Sequence, residues 1–245
     1  MNIEQGVVTF GTQNIDFTVI RSNRRHTVSI FVDPLNGVYL RAPVSSTFEK
    51  LKKIIRKKSA WISDKKNRIK EISDSFLNKE FVSGESFLYL GRKYQLRIVK
   101  LRKKTNNKIC VKSKYILINP SVNFNDSEKT RNLLCHWYRK HAKMVLAKRV
   151  KILSKKFNVN VTKIFLTNPT KRWGSCNSKG ELRFNWRIIS APLSLIDYVV
   201  AHELCHLRCN NHSKNFWKLL GSIIPDYELR RERLRKEGII YLHNV

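Results

Sequence analysis

The sequence is poor in acidic residues and lacks the hydrophobic segments of secreted and membrane proteins. Against 49 lysine and arginine residues it has 18 aspartate and glutamate residues, a formal charge of +31. No apolar run approaches the roughly 18 to 20 residues that a bilayer-spanning helix needs. Residues 1–11 contain neither the basic nor the apolar part of a secretory signal. We therefore expect a cytoplasmic protein.

Cysteine is also scarce, and its positions do not suggest a disulfide framework. The five cysteines, an odd number without a CxxC pair, are Cys110, Cys135, Cys176, Cys205 and Cys209. A chain of this length with so few cysteines does not need an oxidising compartment. Hydrophobic residues make up 42% of the chain, which is enough for a folded core and argues against extended disorder.

The excess of basic residues is concentrated in one part of the chain. Residues 51–150 contain 27 basic and 7 acidic side chains. Such a segment attracts polyanions, so it predicts contact with nucleic acid or a nucleotide. The alternative is a solvated basic surface without a specific partner. Neither the sequence nor its charge indicates an oligomeric state.

The order of predicted elements indicates an α+β fold with a β-rich N-terminal region. Residues 6–43 hold four short β-branched or aromatic runs separated by turn residues, and residues 87–118 hold further strands. The spacing predicts a long basic helix from about 46 to 73 and another helix from about 126 to 157. We place a soft domain boundary near residue 125, between regions 1–125 and 126–245.

The segment His202-Glu203-Leu204-Cys205-His206 has the spacing of a catalytic metal site. Two histidines four residues apart on a helix point the same way, so both can bind one metal ion. The carboxylate of Glu203 can then hold and deprotonate a water on the metal. His212 can supply a third ligand if the helix ends before it, and Asn210-Asn211 is a plausible place for that end.

Other assignments within and around this segment remain open. On an unbroken helix Cys209, rather than His212, would reach the metal, and a His-His-Cys set also suits zinc. Two packed core histidines or a purely structural metal are further alternatives. We expect Cys205 to be a small core residue. His136 and His141 are isolated, and no metal-binding role is assigned to them.

Several segments in a fixed order carry a family resemblance over residues of about 20–240. The chain resembles the YgjP-like metal-dependent hydrolases, relatives of the SprT-like and other zincin metallopeptidases. The matching segments include Arg24-Arg25, Arg41-Ala42-Pro43, Trp61-Ile62, Phe87-Leu88-Tyr89-Leu90-Gly91, Arg172-Trp173-Gly174-Ser175-Cys176, Asn185-Trp186-Arg187, Asp197-Tyr198-Val199-Val200, His202–Leu207, Asn211-His212-Ser213, Phe216-Trp217 and Pro225-Asp226-Tyr227.

The resemblance implies a zincin-like fold in which the motif helix packs on a small sheet. It implies zinc at His202, His206 and His212, with Glu203 as general base and acid. It also implies that the strand at Trp173–Cys176 runs near the cleft and binds substrate through Trp173, Gly174 and Ser175. We expect Cys176 to be a structural residue. Metzincins have glycine where this chain has Cys209, which argues against a close metzincin relationship.

Three functions follow from these patterns. The first is a zinc metallopeptidase acting on a peptide or protein. The second keeps the metal and Glu203 but cleaves the phosphoanhydride of a nucleotide, although the chain lacks a GxxxxGK[ST] phosphate loop. The third is a nucleic-acid-binding protein whose metal site is secondary. The substrate itself is not specified by the sequence.

Overall fold

A computed structural model describes residues 3–33, 37–76, 79–99, 108–119, 126–169 and 172–245 of the chain. The chain forms two compact units, residues 1–78 and residues 79–245. Within the described residues, no helix is both long enough and apolar enough to cross a membrane. The structure is a mixture of helices and sheets, as the sequence predicted.

The first unit is built on a four-stranded sheet followed by two helices. The strands have the order β1-β2-β4-β3, with β2 and β4 parallel and the other pairs antiparallel. Apolar residues of the sheet and the helices form its core, for example Val19, Leu40, Leu51 and Ile62. The elements are β1 (Ile3–Phe10), β2 (Gln13–Ser22), β3 (Ser29–Asp33), β4 (Gly37–Pro43), α1 (Phe48–Lys57) and α2 (Ser59–Phe76).

The single basic helix predicted from about 46 to 73 is two helices in the structure. The first ends at Lys57, and Lys58 leaves the helical conformation with φ −109° and ψ 10°. The hydroxyl group of Ser59 donates a hydrogen bond to the carbonyl oxygen of Ile55 at 3.0 Å. The break was not predictable from the sequence because no glycine or proline marks it.

The second unit contains two sheets, a short 3₁₀ helix and four α-helices. One sheet has the order β5-β6-β8-β7 and the other the order β10-β11-β9. The strands are β5 (Ser86–Tyr89), β6 (Arg92–Ile98), β7 (Lys108–Lys112), β8 (Tyr115–Asn119), β9 (Lys163–Thr167), β10 (Gly174–Cys176) and β11 (Glu181–Asn185). The helices are α3 (Ser127–Phe157), the 3₁₀ helix (Trp186–Ser190), α4 (Leu193–Cys205), α5 (Lys214–Ile223) and α6 (Tyr227–Leu242).

Helix α3 runs through the centre of this unit and positions α4. Asp126 caps its N-terminus by accepting a hydrogen bond from the Lys129 amide at 2.9 Å. A two-point ion pair joins the two helices: Nε and Nη2 of Arg149 lie 2.5 and 2.8 Å from the carboxylate oxygens of Asp197. Because this pair is largely buried, it holds α4 in one register against α3.

One core extends through the whole second unit, and this explains where the units divide. Phe87, Leu96 and Ile116 of the first sheet are fully buried in the same cluster as Leu146 of α3 and Leu204 of α4. The division therefore lies between residues 78 and 79, ahead of β5. The boundary predicted near residue 125 lies outside the described residues.

Candidate metal centre

The start of α4 is fixed by contacts with the turn between β5 and β6. The amide groups of Leu90 and Gly91 donate hydrogen bonds to the carbonyl oxygens of Ile189 and Ser190 at 2.9 and 3.0 Å. Gly91 has a φ of +77°, and a Cβ atom there would lie 2.6 Å from Pro192. Glycine is thus required on both conformational and steric grounds, and the turn can pack directly against the first residues of α4.

The end of α4 determines how the histidines meet. The helix ends at Cys205, five residues before the predicted terminator Asn210-Asn211, and turn hydrogen bonds follow from Leu207 to Cys209. This early end lets the chain fold back, so His212 lies just before the first turn of α5. The Nε2 atoms of His202 and His212 are 3.0 Å apart.

His202, His206 and His212 form a compact cluster of imidazole rings. One potential ligand atom from each lies within 4.8 Å of the others, and no other group of three potential ligand residues occurs among the described residues. Cys209 is not part of the cluster. Instead, its carbonyl oxygen lies 3.3 Å from Nδ1 of His206. That contact leaves Nε2 of His206 available to the cluster.

The chemistry of these three groups fits a divalent metal ion. Burial, followed by the neighbouring His206 and His212, lowers the pKa of His202 to about 4. Burial also lowers the pKa of His206. Both rings are therefore neutral at physiological pH, which is the form that binds metals. Because their potential ligand atoms lie within 4.8 Å of one another, the three residues could hold one ion between them.

Aromatic packing surrounds the His202 ring, whose Nε2 atom faces His212. Its Nδ1 atom is buried and has no hydrogen-bond partner within the described ranges. The ring contacts Tyr198, one turn earlier on α4, with centroids 6.0 Å apart, and Phe216 of α5, at 5.0 Å. Aromatic contacts therefore set the position of the first histidine.

The carboxyl group of Glu203, one residue after His202 on α4, lies in a buried environment. Only 6% of the residue is exposed. Burial raises the pKa of Glu203 to about 7, and the positive charge of Arg172 opposes this rise. A carboxyl group that titrates near neutral pH can both accept and return a proton under physiological conditions.

Strand β10 lies directly against this carboxyl group. A Cβ atom at Gly174 would be 2.6 Å from Oε1 of Glu203 and 2.7 Å from its Cγ atom. Only glycine allows the strand to approach so closely. Cys176 faces the same region, because the Glu203 carboxylate adds to burial in raising its thiol pKa to about 11.

β10 is the edge strand of its sheet. Among the described strands it pairs only with β11, in antiparallel orientation. The Asn185 amide donates to the Trp173 carbonyl at 2.8 Å, and the Asn177 amide donates to the Glu181 carbonyl at 3.2 Å. Since main-chain bonds alternate along an antiparallel pair, the N–H and C=O groups of Gly174 and Cys176 point away from β11. They form an open edge beside Glu203.

The three residues predicted to bind substrate occupy different positions. Gly174 adjoins Glu203. The Trp173 side chain packs towards α6, where a Cβ atom at Gly238 would lie 3.3 Å from it. Ser175 follows Gly174 on the strand, so its side chain lies on the opposite face. The structure therefore brings the backbone at Gly174, rather than all three side chains, close to Glu203.

Sequence reasoning missed Arg231 on α6. Its guanidinium carbon lies 5.1 Å from the ring centroid of Trp217, and its charge contributes to the lowered pKa of His202. Trp217 in turn stacks on the His212 ring at 5.6 Å and donates to the His212 carbonyl at 3.1 Å. Nothing in the sequence distinguishes Arg231, because it is one of many charged residues in α6.

Three clustered imidazoles with a buried glutamate one residue after His202 are the arrangement expected of a metallohydrolase, and a comparison with protein families supports this class. The YgjP-like metallopeptidase domain matches residues 26–237. The chain belongs to this family. The metallopeptidase zymogen abylysin of Pyrococcus abyssi is similar in its crystal structure, with 14% identity and a TM-score of 0.36. That match covers 38% of this chain and 93% of abylysin. No curated protein matches the chain.

Proposed function

We propose that the protein is a zinc-dependent peptidase whose metal is held by His202, His206 and His212. The main support for the proposal is that the three imidazoles lie close together, with Glu203 next to His202 in the sequence. His202 lies on α4 and His206 directly after its last residue, Cys205, so the chain can turn back and bring His212 to them. Membership in a metallopeptidase family supports the reaction class. Three imidazole ligands favour zinc over magnesium or calcium, which prefer oxygen ligands.

Glu203 moves the proton in this reaction. A zinc ion held by His202, His206 and His212 would polarise the substrate carbonyl group and make a water molecule more acidic. The Glu203 carboxylate accepts a proton from water while the water oxygen bonds to the carbonyl carbon. The carbon–nitrogen bond then breaks, and Glu203 returns the proton to the leaving amine. A pKa of about 7 suits both transfers, because neither protonation state is strongly favoured.

The open edge of β10 supports a peptide as the substrate. An extended peptide can pair with the outward-facing groups of Gly174 and Cys176, as strands added to a sheet edge do. This places a peptide backbone alongside Glu203. Among the described residues we find no feature near the three histidines that favours cleavage of a phosphoanhydride in the way that the open edge of β10 favours a peptide. We therefore retain the peptidase as the proposed activity. A cytoplasmic location for the enzyme is part of the same proposal.

The test is metal content, measured by mass spectrometry on protein purified without chelators or affinity histidines. We expect about one zinc per chain in the wild type and in Cys209→Ala, and loss of the metal in His212→Ala. Cys209→Ala is the matched control because this residue adjoins the cluster without entering it. A metal-free wild type, or loss of metal only in Cys209→Ala, would contradict the ligand assignment.

Activity is then measured on a library of unstructured peptides. Glu203→Gln is expected to keep its zinc and lose turnover by at least about a hundredfold, because general acid–base transfer is removed. A metal-loaded wild type that cleaves nucleoside triphosphates and no peptide would replace the proposed function with the phosphoanhydride alternative.

A further inference from the structure

We propose that Arg131, Arg139 and Arg187, the arginine cluster, form a binding site for the phosphate group of a small molecule. The cluster belongs to α3 and the 3₁₀ helix and contributes nothing to the histidine site. Its proposed ligand is a phosphomonoester or free phosphate, a compact dianion. The inference is independent of the proposed peptidase activity.

The cluster is assembled around the buried indole of Trp186. Arg131, Cys135 and Arg139 follow one another at four-residue intervals, so they share one face of α3. The guanidinium carbon of Arg139 lies 5.2 Å from the Trp186 ring centroid, and that of Arg187 lies 4.5 Å from it. Two cations from different helices therefore meet on one aromatic ring.

Arg131 reaches the same region from one turn before Cys135. The charges of Arg131, Arg187 and Arg139 all act on the Cys135 thiol and partly offset the burial that raises its pKa. Arg131 also lies 5.8 Å from the ring centroid of Phe81, which limits where its side chain can go. Arg139 and Arg187 thus lie against Trp186, and all three arginines lie close enough to Cys135 for their charges to act on its thiol.

The three arginines have no side-chain carboxylate partner among the described residues. Among the ion pairs of the described residues, none includes Arg131, Arg139 or Arg187. Arg187 contacts two oxygens, a main-chain oxygen of Val245, the last residue of the sequence, at 3.4 Å and the amide oxygen of Asn168. The carboxylate at Val245 offers one negative charge against three positive charges. Burial lowers the pKa of Arg187, and the neighbouring Arg139 and Arg131 lower it further. Mutual repulsion at a half-buried position is what a bound anion would relieve.

A second, independent observation is an unused hydrogen-bond donor. Trp186 is 2% exposed, and its Nε1 atom has no hydrogen-bond partner among the described residues. Buried indole N–H groups normally find an acceptor. The chain supplies two cations against this ring but no acceptor for its N–H group. An oxyanion that reaches both the indole N–H group and the guanidinium groups would satisfy both deficits.

The charge and the geometry favour phosphate over other anions. A guanidinium group can donate two parallel hydrogen bonds to a phosphate group. Three guanidinium groups also match the charge of a dianion better than that of a monocarboxylate. Arg187 is half-buried and Trp186 is buried, so a small ligand can reach them better than a duplex backbone. Arg131 and Arg139 lie within the basic segment of residues 51–150, and Arg187 lies outside it.

The test is calorimetric titration of the full chain with inorganic phosphate at constant ionic strength. We expect saturable binding of one phosphate in the wild type. Arg139→Gln is expected to weaken binding at least about tenfold, because one charge-assisted hydrogen-bond donor is lost. Arg139 is exposed, so this variant should fold, and Arg187→Gln serves as the second variant. Lys140→Gln, which removes the same charge from the next residue of α3, should bind as the wild type does.

Three further titrations distinguish phosphate bound at the arginine cluster from phosphate bound to a metal ion and from non-specific attraction of anions. Phosphate also binds metals, so the titration is repeated on His206→Ala, where binding should survive. Acetate should not displace phosphate at equal ionic strength. Dimethyl phosphate, a singly charged model of the nucleic-acid backbone, should bind at least about tenfold more weakly. Equal loss in Lys140→Gln and Arg139→Gln, loss in His206→Ala, or equal binding of acetate or the diester would overturn the proposal.

Discussion

The buried carboxyl group of Glu203 destabilises the metal-free fold at neutral and alkaline pH, and Glu203→Gln should reveal this. The group has a higher pKa in the folded chain than in the unfolded chain. Its favourable contribution is therefore complete below the unfolded pKa of 4.5 and is lost as the pH rises through the folded value of about 7. Glutamine has nearly the same shape and no charge at any of these pH values, so it does not incur the loss.

The size of the effect follows from the two pKa values. A shift from 4.5 to about 7 corresponds to about 3 kcal/mol, at about 1.4 kcal/mol per pKa unit. Because only 6% of Glu203 is exposed, solvent screening reduces this figure little. In the presence of a chelator, Glu203→Gln should therefore be more stable than the wild type by about 3 kcal/mol at pH 8. At pH 4 the two proteins should be nearly equal.

The assay is denaturant-induced unfolding, followed by tryptophan fluorescence at pH 4, 6 and 8 with chelator present. Glu128→Gln is the matched control, because Glu128 is exposed in the first turn of α3. It should change the free energy of unfolding by less than about 0.5 kcal/mol. If Glu203→Gln is no more stable than the wild type at pH 8, burial does not raise the Glu203 pKa.

Two further predictions concern the strand edge and the basic region. Gly174→Ala should lower kcat for peptide cleavage by about 10- to 100-fold while zinc content is kept, because its Cβ would lie 2.6 Å from Oε1 of Glu203; unchanged kcat would show that the strand can move away. If residues 51–150 bind DNA specifically, log K should fall linearly with log salt, at about 0.9 per phosphate contact. Weak binding that never saturates would identify a solvated basic surface instead.

The sequence predicted the parts of the site that depend on one helix. The spacing of His202 and His206 follows from the 3.6-residue period of a helix, whatever the rest of the chain does. His212 required a helix end, and the sequence left Cys209 open because a local pattern does not fix that end. In the structure α4 ends at Cys205, before Asn210-Asn211. The chain then turns back, and His212, rather than Cys209, joins the other two histidines.

Contacts between distant segments were not predictable in the same way. The division between the units depends on which elements the sheet of β5 to β8 packs against. The residue pattern of a strand does not show this. Arg231 and Trp217 meet through the packing of α5 and α6 near the histidines. Likewise, the arginine cluster combines α3 with the 3₁₀ helix, so no spacing along the chain reveals it.

The protonation behaviour of Glu203 shows that a motif does not by itself determine the chemistry of its residues. His-Glu-x-x-His places a carboxylate one residue after a ligand but says nothing about its pKa. That property comes from burial, to which β10 contributes by passing close enough for Gly174 to touch the carboxyl group. The same close approach sets the open strand edge beside Glu203. In the proposed reaction Gly174 therefore links proton transfer to substrate alignment, and replacing it should disturb both together while leaving the three histidines in place.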